Sequence, residues 1–134
     1  MRDGLTRKIQ APASPSGYRL FLEKFRASLI VVSGAAEGNE IVIDQRRVTL
    51  GRGPGVDLAF DNPSMSQQHA VLEFVTDGFR VSDLESTNGV EVNGKRAKQA
   101  GLHHGDRFAL GNQVFQLLIE KRETAPRTYV VTED

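Results

Sequence analysis

Residues 70–94 read AVLEFVTDGFRVSDLESTNGVEVNG. The runs 70–75 and 79–83 alternate in character: Val71, Glu73 and Val75 against Leu72 and Phe74, then Phe79 and Val81 against Arg80 and Ser82. A period of two marks half-buried strands, and Asp77-Gly78 between them supplies a turn. Asn93-Gly94, between Val92 and Lys95, suits a two-residue hairpin because both residues tolerate positive φ.

The same punctuation extends outward from this stretch. Turn signals fall at 34–39, 44–45, 53–55, 61–64, 86–89, 104–106 and 111–112. Their spacing is mostly the roughly 8–12 residues of a sandwich or barrel. The β-rich runs between them predict further strands at 29–33, 40–43, 47–50, 58–60, 90–92, 107–110 and 114–119. No gap admits a crossover helix of a dozen residues, which argues against a parallel α/β sheet. The expected core is Leu29, Val31, Ile41, Ile43, Val48, Leu50, Val71, Phe74, Phe79, Val81, Leu84, Val90, Val92, Phe108, Leu110, Phe115 and Leu117. Residues 27–120 therefore read as one all-β domain.

The flanks are different. Residues 11–17 read APASPSG, a Pro/Ser linker rather than an element, so 1–17 reads as a flexible basic leader and linker. In 18–26, Tyr18, Phe21, Leu22 and Phe25 recur at helical spacing, although Leu20 and Leu22 also alternate like a strand. A short amphipathic helix packed on the body is preferred. Residues 121–134 read as a flexible C-terminal tail.

Composition narrows the function. A chain of 134 residues, 39% hydrophobic and 25% charged, fits a single packed domain. With no cysteine there is no disulfide scaffold, thiolate metal site or cysteine nucleophile. Lys plus Arg and Asp plus Glu are 17 each, which disfavours a globally basic nucleic-acid binder. The charge is unevenly spread: residues 1–26 hold six basic and two acidic residues, and 27–120 hold eight basic and twelve acidic. The basic leader reads as a solvated tail, with tethering to nucleic acid as a secondary reading. No run approaches the roughly 20 apolar residues of a membrane span. The chain reads as soluble and cytoplasmic.

Three loop segments carry the chemistry. Gly51-Arg52 ends a strand. Ser66-Gln67-Gln68-His69 precedes one. Asp83-Leu84-Glu85-Ser86-Thr87-Asn88-Gly89 is followed shortly by Asn93-Gly94. Taken singly, Arg52 suits an ordinary turn, Ser66 a local cap, and Thr87-Asn88 their own hairpin. There is no Walker A run, no G-x-S-x-G and no H-E-x-x-H, so an enzyme is disfavoured. His103-His104 reads as a solvated turn, and no metal or cofactor is expected.

In order and spacing these segments resemble the forkhead-associated (FHA) domain: GR, SxxH, DLxSTNG, then NG, over about residues 27–120. The resemblance implies an antiparallel β-sandwich of two packed sheets, FHA/SMAD-like, binding phosphothreonine peptides through loops at one end. It implies Arg52, Ser66 and Thr87 on the phosphate, with Gln67 helping there, and Asn88 on the peptide backbone. Gly51, His69, Gly89 and Asn93 are implied as structural support. Family members often carry a basic residue or Asn at the Gln67 position; Gln keeps donors but adds no charge.

The residue chemistry agrees. A phosphothreonine carries nearly two charges and three acceptor oxygens, which call for a guanidinium fork, hydroxyls and amides held on rigid strands. The expected function is an adaptor in Ser/Thr kinase signalling, binding phosphothreonine-containing proteins, the kinase or its substrates. The resemblance further implies that specificity comes from the third residue after the phosphothreonine, with the loops near Asn88 and Gly111-Asn112 as its expected readers. The alternative is a phosphate-independent assembly scaffold on the same fold. A further expectation is that Thr6, Thr124, Thr128 or Thr132, once phosphorylated, occupies the site of this chain or of a neighbour.

Overall fold

The computed structural model describes residues 13–76 and 78–122. The leader 1–12 and the tail threonines of the self-binding expectation lie outside the described residues.

The chain begins with helix α1 (Ala13–Lys24) and continues as strands. These are β1 (Phe25–Val31), β2 (Glu40–Val42), β3 (Arg47–Gly51), β4 (Leu58–Ala59), β5 (Ala70–Val75), β6 (Gly78–Asp83), β7 (Val90–Val92), β8 (Lys95–Ala97), β9 (Gln99–Leu102), β10 (Arg107–Leu110) and β11 (Gln113–Lys121). They form two sheets, ordered β9-β6-β5-β3-β4 and β2-β1-β11-β10-β7-β8. Pairing is antiparallel except for the short β3–β4 pair. The fold is the β-sandwich of two packed sheets that the sequence predicts.

Alternation fixes which face each strand buries. In β5, Ala70, Leu72 and Phe74 join the core; in β6, Phe79 and Val81 lie beside Phe74 and Leu72 on the same face. From the other sheet come Leu29, Val31, Val90, Phe108, Leu110, Phe115 and Leu117, all nearly inaccessible. Three expected core residues, Ile41, Leu84 and Val92, are only half-buried. Val71 is buried but outside the central cluster, whereas Leu72, Met65, Leu102 and Tyr18 belong to it. The 92–95 hairpin forms as expected, with Asn93 at φ 50° and Gly94 at φ 87°.

Two differences from the sequence reading stand out. First, β8 and β9, reading KRA and QAGL, are strands that hydrophobic patterning passes over. They are mostly exposed edge strands, where the ladder partner rather than a buried face sets the conformation. Second, α1 starts at Ala13, inside the supposed linker, and ends at Lys24, so Phe25 and Arg26 pass to β1. Pro15 falls in the first turn, where its missing N–H leaves no intrahelical bond unmade. Phe25 and Arg26 pair with Lys121 and Glu120 on β11.

β3 and β6 run toward one end of the sandwich, and β5 and β7 leave from it. The segments 52–57, 60–69, 83–89 and 111–112 therefore gather there. α1 packs at the other end, near the β5–β6 turn. There Tyr18 and Phe21 meet Phe74 and Phe79 at ring-centroid distances of 4.8–6.0 Å.

Candidate functional site

Arg52 follows directly on β3, and two sets of bonds hold it. Its backbone N–H donates to Ser66 O at 2.9 Å, and its Nε donates to Met65 O at 3.0 Å. The Nη groups of this exposed side chain make no hydrogen bond or ion pair with the described residues. The loop that follows is pinned back: Asp57 Oδ2 accepts from both Thr49 N and Thr49 Oγ1, at 2.8 and 3.0 Å. Gly51 is demanded by crowding, since a Cβ there would overlap the carbonyl of Gln67. The two chains approach so closely because Gly53 N also donates to Gln67 O, at 3.2 Å.

The 66–69 turn is organised by His69, which is fully buried. Its Nδ1 accepts from Ser66 N at 3.0 Å, so the ring proton sits on Nε2 and is donated to Gly89 O at 2.8 Å. One imidazole thus fixes Ser66 and the end of the 83–89 loop together. Its backbone adds two more ties, His69 N to Leu50 O and Leu84 N to His69 O, both 2.9 Å. Enclosed and with both nitrogens committed, His69 is a brace.

In the 83–89 loop, the Asp83 carboxylate accepts from Ser86 N and Oγ, and Ser86 Oγ accepts from Gly89 N at 2.8 Å. Gly89 lies at φ +79°, a conformation that suits glycine. The loop so formed projects Thr87 and Asn88 outward. Thr87 N donates to Ser66 Oγ at 2.9 Å, which leaves the Ser66 hydroxyl proton available to a ligand. Asn88 Nδ2 donates to Ser64 O at 2.7 Å, leaving its Oδ1 as an outward acceptor.

The structure therefore brings Arg52, Ser66, Gln67, Thr87 and Asn88 to one end of the sandwich, with Gly51, His69 and Gly89 beneath them. It does not bring Asn93 there. Asn93 lies at the far end of β7, where its amide bridges Asp106 Oδ1 and Arg107 N. The Asp106 carboxyl is held below its usual range, chiefly by the His103 backbone N–H and also by the Asn93 amide. Asn93 is a brace of the 103–107 turn, remote from the recognition loops.

Sequence reasoning missed a second bolt. Ser64 Oγ donates within reach of both Asn62 Oδ1 and Asn112 Oδ1, and accepts from Asn112 N at 2.9 Å. Asn62 Nδ2 reaches Asn112 Oδ1 at 2.8 Å and Gln113 Oε1 at 3.2 Å. This network joins a loop of one sheet to the β10–β11 turn of the other, beside Asn88. The turn signal at 61–64 was visible; partners 48 to 51 residues away were not.

A guanidinium, two hydroxyls and an amide are thus carried at one end of a rigid frame, groups suited to a compact oxyanion attached to an extended backbone. The described residues contain no cluster of His, Cys, Asp or Glu able to hold a metal ion.

Comparison with known proteins agrees with this geometry. The FHA domain family profile matches residues 48–111. The chain is 32% identical over 102 residues to the oxoglutarate dehydrogenase inhibitor of Corynebacterium jeikeium, covering 76% of this chain and 70% of that protein. It spans about half to 70% of the length of the curated relatives it matches. Among solved structures, the FHA domain of the Chlamydia trachomatis CT664 protein superposes with a TM-score of 0.65 at 32% identity, over 69% of this chain and 96% of that one. EmbR of Mycobacterium tuberculosis, in complex with a low-affinity phosphopeptide, superposes with a TM-score of 0.65 at 25% identity, over 75% of this chain and 26% of that one. On motif order, sandwich topology and these similarities together, the chain belongs to the FHA domain family.

Proposed function

We propose that this chain is a phosphothreonine-binding adaptor of Ser/Thr kinase signalling, with the phosphate held by Arg52, Ser66 and Thr87. The observation that carries the reading is the Thr87 N to Ser66 Oγ bond at 2.9 Å. It joins two loops that are 21 residues apart and fixes the Ser66 hydroxyl against the backbone of Thr87, near a guanidinium whose Nε is tied to Met65 O. Gln67 adds neutral donors at the rim. Asn88 Oδ1 accepts a backbone N–H of the peptide. The module binds and does not catalyse: its one buried histidine is locked between two loops rather than facing a substrate. Its work is cytoplasmic, where kinases and reduced thiols are found. Among the described residues, no helix is long and apolar enough to cross a membrane.

Charge-assisted hydrogen bonds are worth about 1.5–3 kcal/mol each before association costs, so a few of them support a Kd near 1 μM, about −8 kcal/mol. The test is titration with a phosphothreonine peptide library degenerate at the third position after the phosphothreonine. Unphosphorylated peptides and an Arg52→Ala variant serve as controls. Micromolar binding that both controls lose is the expected result. A folded protein with no preference for the phosphate would instead identify a phosphate-independent assembly scaffold.

A further inference from the structure

The 83–89 loop has two flanks. On one, the loop bonds to Ser64, Ser66 and His69. On the other it meets the run Lys95-Arg96-Ala97-Lys98, the densest cationic stretch of an otherwise acidic body. Asp83 N donates to Lys98 O at 2.8 Å. The Arg96 guanidinium lies directly over the α-carbon of Gly89, where a Cβ would approach its Nη2, Nε and Cζ to 2.7–2.9 Å. Gly89 therefore does more than adopt a positive φ: its missing side chain is the seat of a guanidinium. Between loop and strand lies a niche of about 240 Å³ edged by Asp83, Ser86, Gly89, Arg96 and Lys98.

The charges of this niche are not spent internally. Neither Arg96 nor Lys98 forms an ion pair with a carboxylate among the described residues. This holds although Glu91 lies opposite Arg96 in the β7–β8 register. The one carboxylate lining the niche, Asp83, is occupied by Ser86. Two exposed cations thus stand at the edge of the recognition loop, on the flank away from Arg52.

We propose that Arg96 and Lys98 form a second anion subsite for the same peptide, taking a second phosphate or a carboxylate near the phosphothreonine. The proposal rests on the phosphothreonine reading above. Gly89 is two residues from Thr87, so their α-carbons are at most about 7 Å apart. At about 3.3 Å per extended residue, the second anion falls roughly two or three peptide positions from the first.

The test uses the full chain and fluorescence anisotropy. One phosphothreonine peptide has alanine flanks. Others carry glutamate, or a second phosphothreonine, two or three positions before or after it. On one side of the phosphothreonine, the doubly phosphorylated peptide should bind about tenfold tighter than the alanine-flanked one. That ratio should fall to within twofold in Arg96→Gln/Lys98→Gln. Glutamate reproducing most of the gain would define a general anion subsite; a gain confined to phosphate would define a phosphate subsite. In the wild type, the extra anion should also steepen the loss of affinity with salt, a reading independent of how the variant folds. A ratio near one in the wild type, or one that persists in the variant, overturns the subsite while leaving the phosphothreonine reading intact. No phosphate dependence in any peptide overturns both.

Discussion

At the scale of single residues, His69 connects more of the site than any ligand-facing group. It holds Ser66 through Nδ1 and Gly89 through Nε2, with no exposed surface. Replacing it with alanine leaves one buried donor and one buried acceptor unpaired beside a cavity. Such losses cost about 1–3 kcal/mol per orphaned group, with a further contribution from the void. His69→Ala should therefore lower stability by about 3 kcal/mol in denaturant titration and weaken phosphopeptide binding, although His69 never touches the peptide. His69→Phe fills the volume and restores neither bond. It should recover part of the stability and little of the affinity. Equal recovery of both would show that the histidine serves packing alone.

At the scale of elements, α1 closes the end of the sandwich opposite the recognition loops. Tyr18 is its anchor: 3% exposed, it donates from its hydroxyl to Ile43 O at 2.6 Å. Burial, helped by the charge of Asp44, pushes its pKa from 10.0 up to about 12. The folded state thus prefers the neutral phenol. The stability this gives is fully present below pH 10 and is lost as pH rises through about 12, amounting to about 3 kcal/mol across two pH units. Tyr18→Phe loses the hydrogen bond, about 1 kcal/mol, and also the titration. Chemical denaturation should find the wild type more stable at pH 8, the two equal near pH 11, and the variant more stable above. Parallel pH curves would mean that the hydroxyl stays solvated.

This helix also marks where the sequence stopped being legible. The strands with alternating or compact apolar runs, 70–75, 79–83, 90–92 and 107–110, could be read because their burial is local information. The loop motifs could be read because the segments holding Arg52, Ser66, Thr87 and Asn88 resemble, in order and spacing, those of the FHA family; taken singly, each suits an ordinary turn. The start of α1 could not, because Pro15 and the serines look like a linker until the aromatic face of Tyr18 and Phe21 finds Phe74 and Phe79. β8 and β9 could not, because they are polar edges specified by their partners. Nor could the Asn62–Ser64–Asn112 bolt, because it joins segments 48 to 50 residues apart, or the seat of Arg96 over Gly89, because it depends on the cross-strand register of a polar edge hairpin.

At the scale of the whole molecule, the sandwich is fastened at both ends, by aromatic packing under α1 and by amide and hydroxyl bonds beside Asn88. A site built on such a frame is largely preformed, so binding energy is spent on few rearrangements and feeds into the folded state. A ligand that binds only the folded chain stabilises it by RT ln(1 + [L]/Kd), about 2.7 kcal/mol at one hundred times Kd. For a domain of this size, that corresponds to a rise in melting temperature of roughly 5–10 °C. The expected result in a thermal melt is such a shift with the best phosphothreonine peptide and none with its unphosphorylated form. Arg52→Ala should melt near the wild-type temperature without peptide, since its guanidinium is exposed, and should show no shift with it. A variant already several degrees less stable would mean that the Nε bond to Met65 holds the loop. Arg52 would then be a structural residue first and a phosphate ligand second.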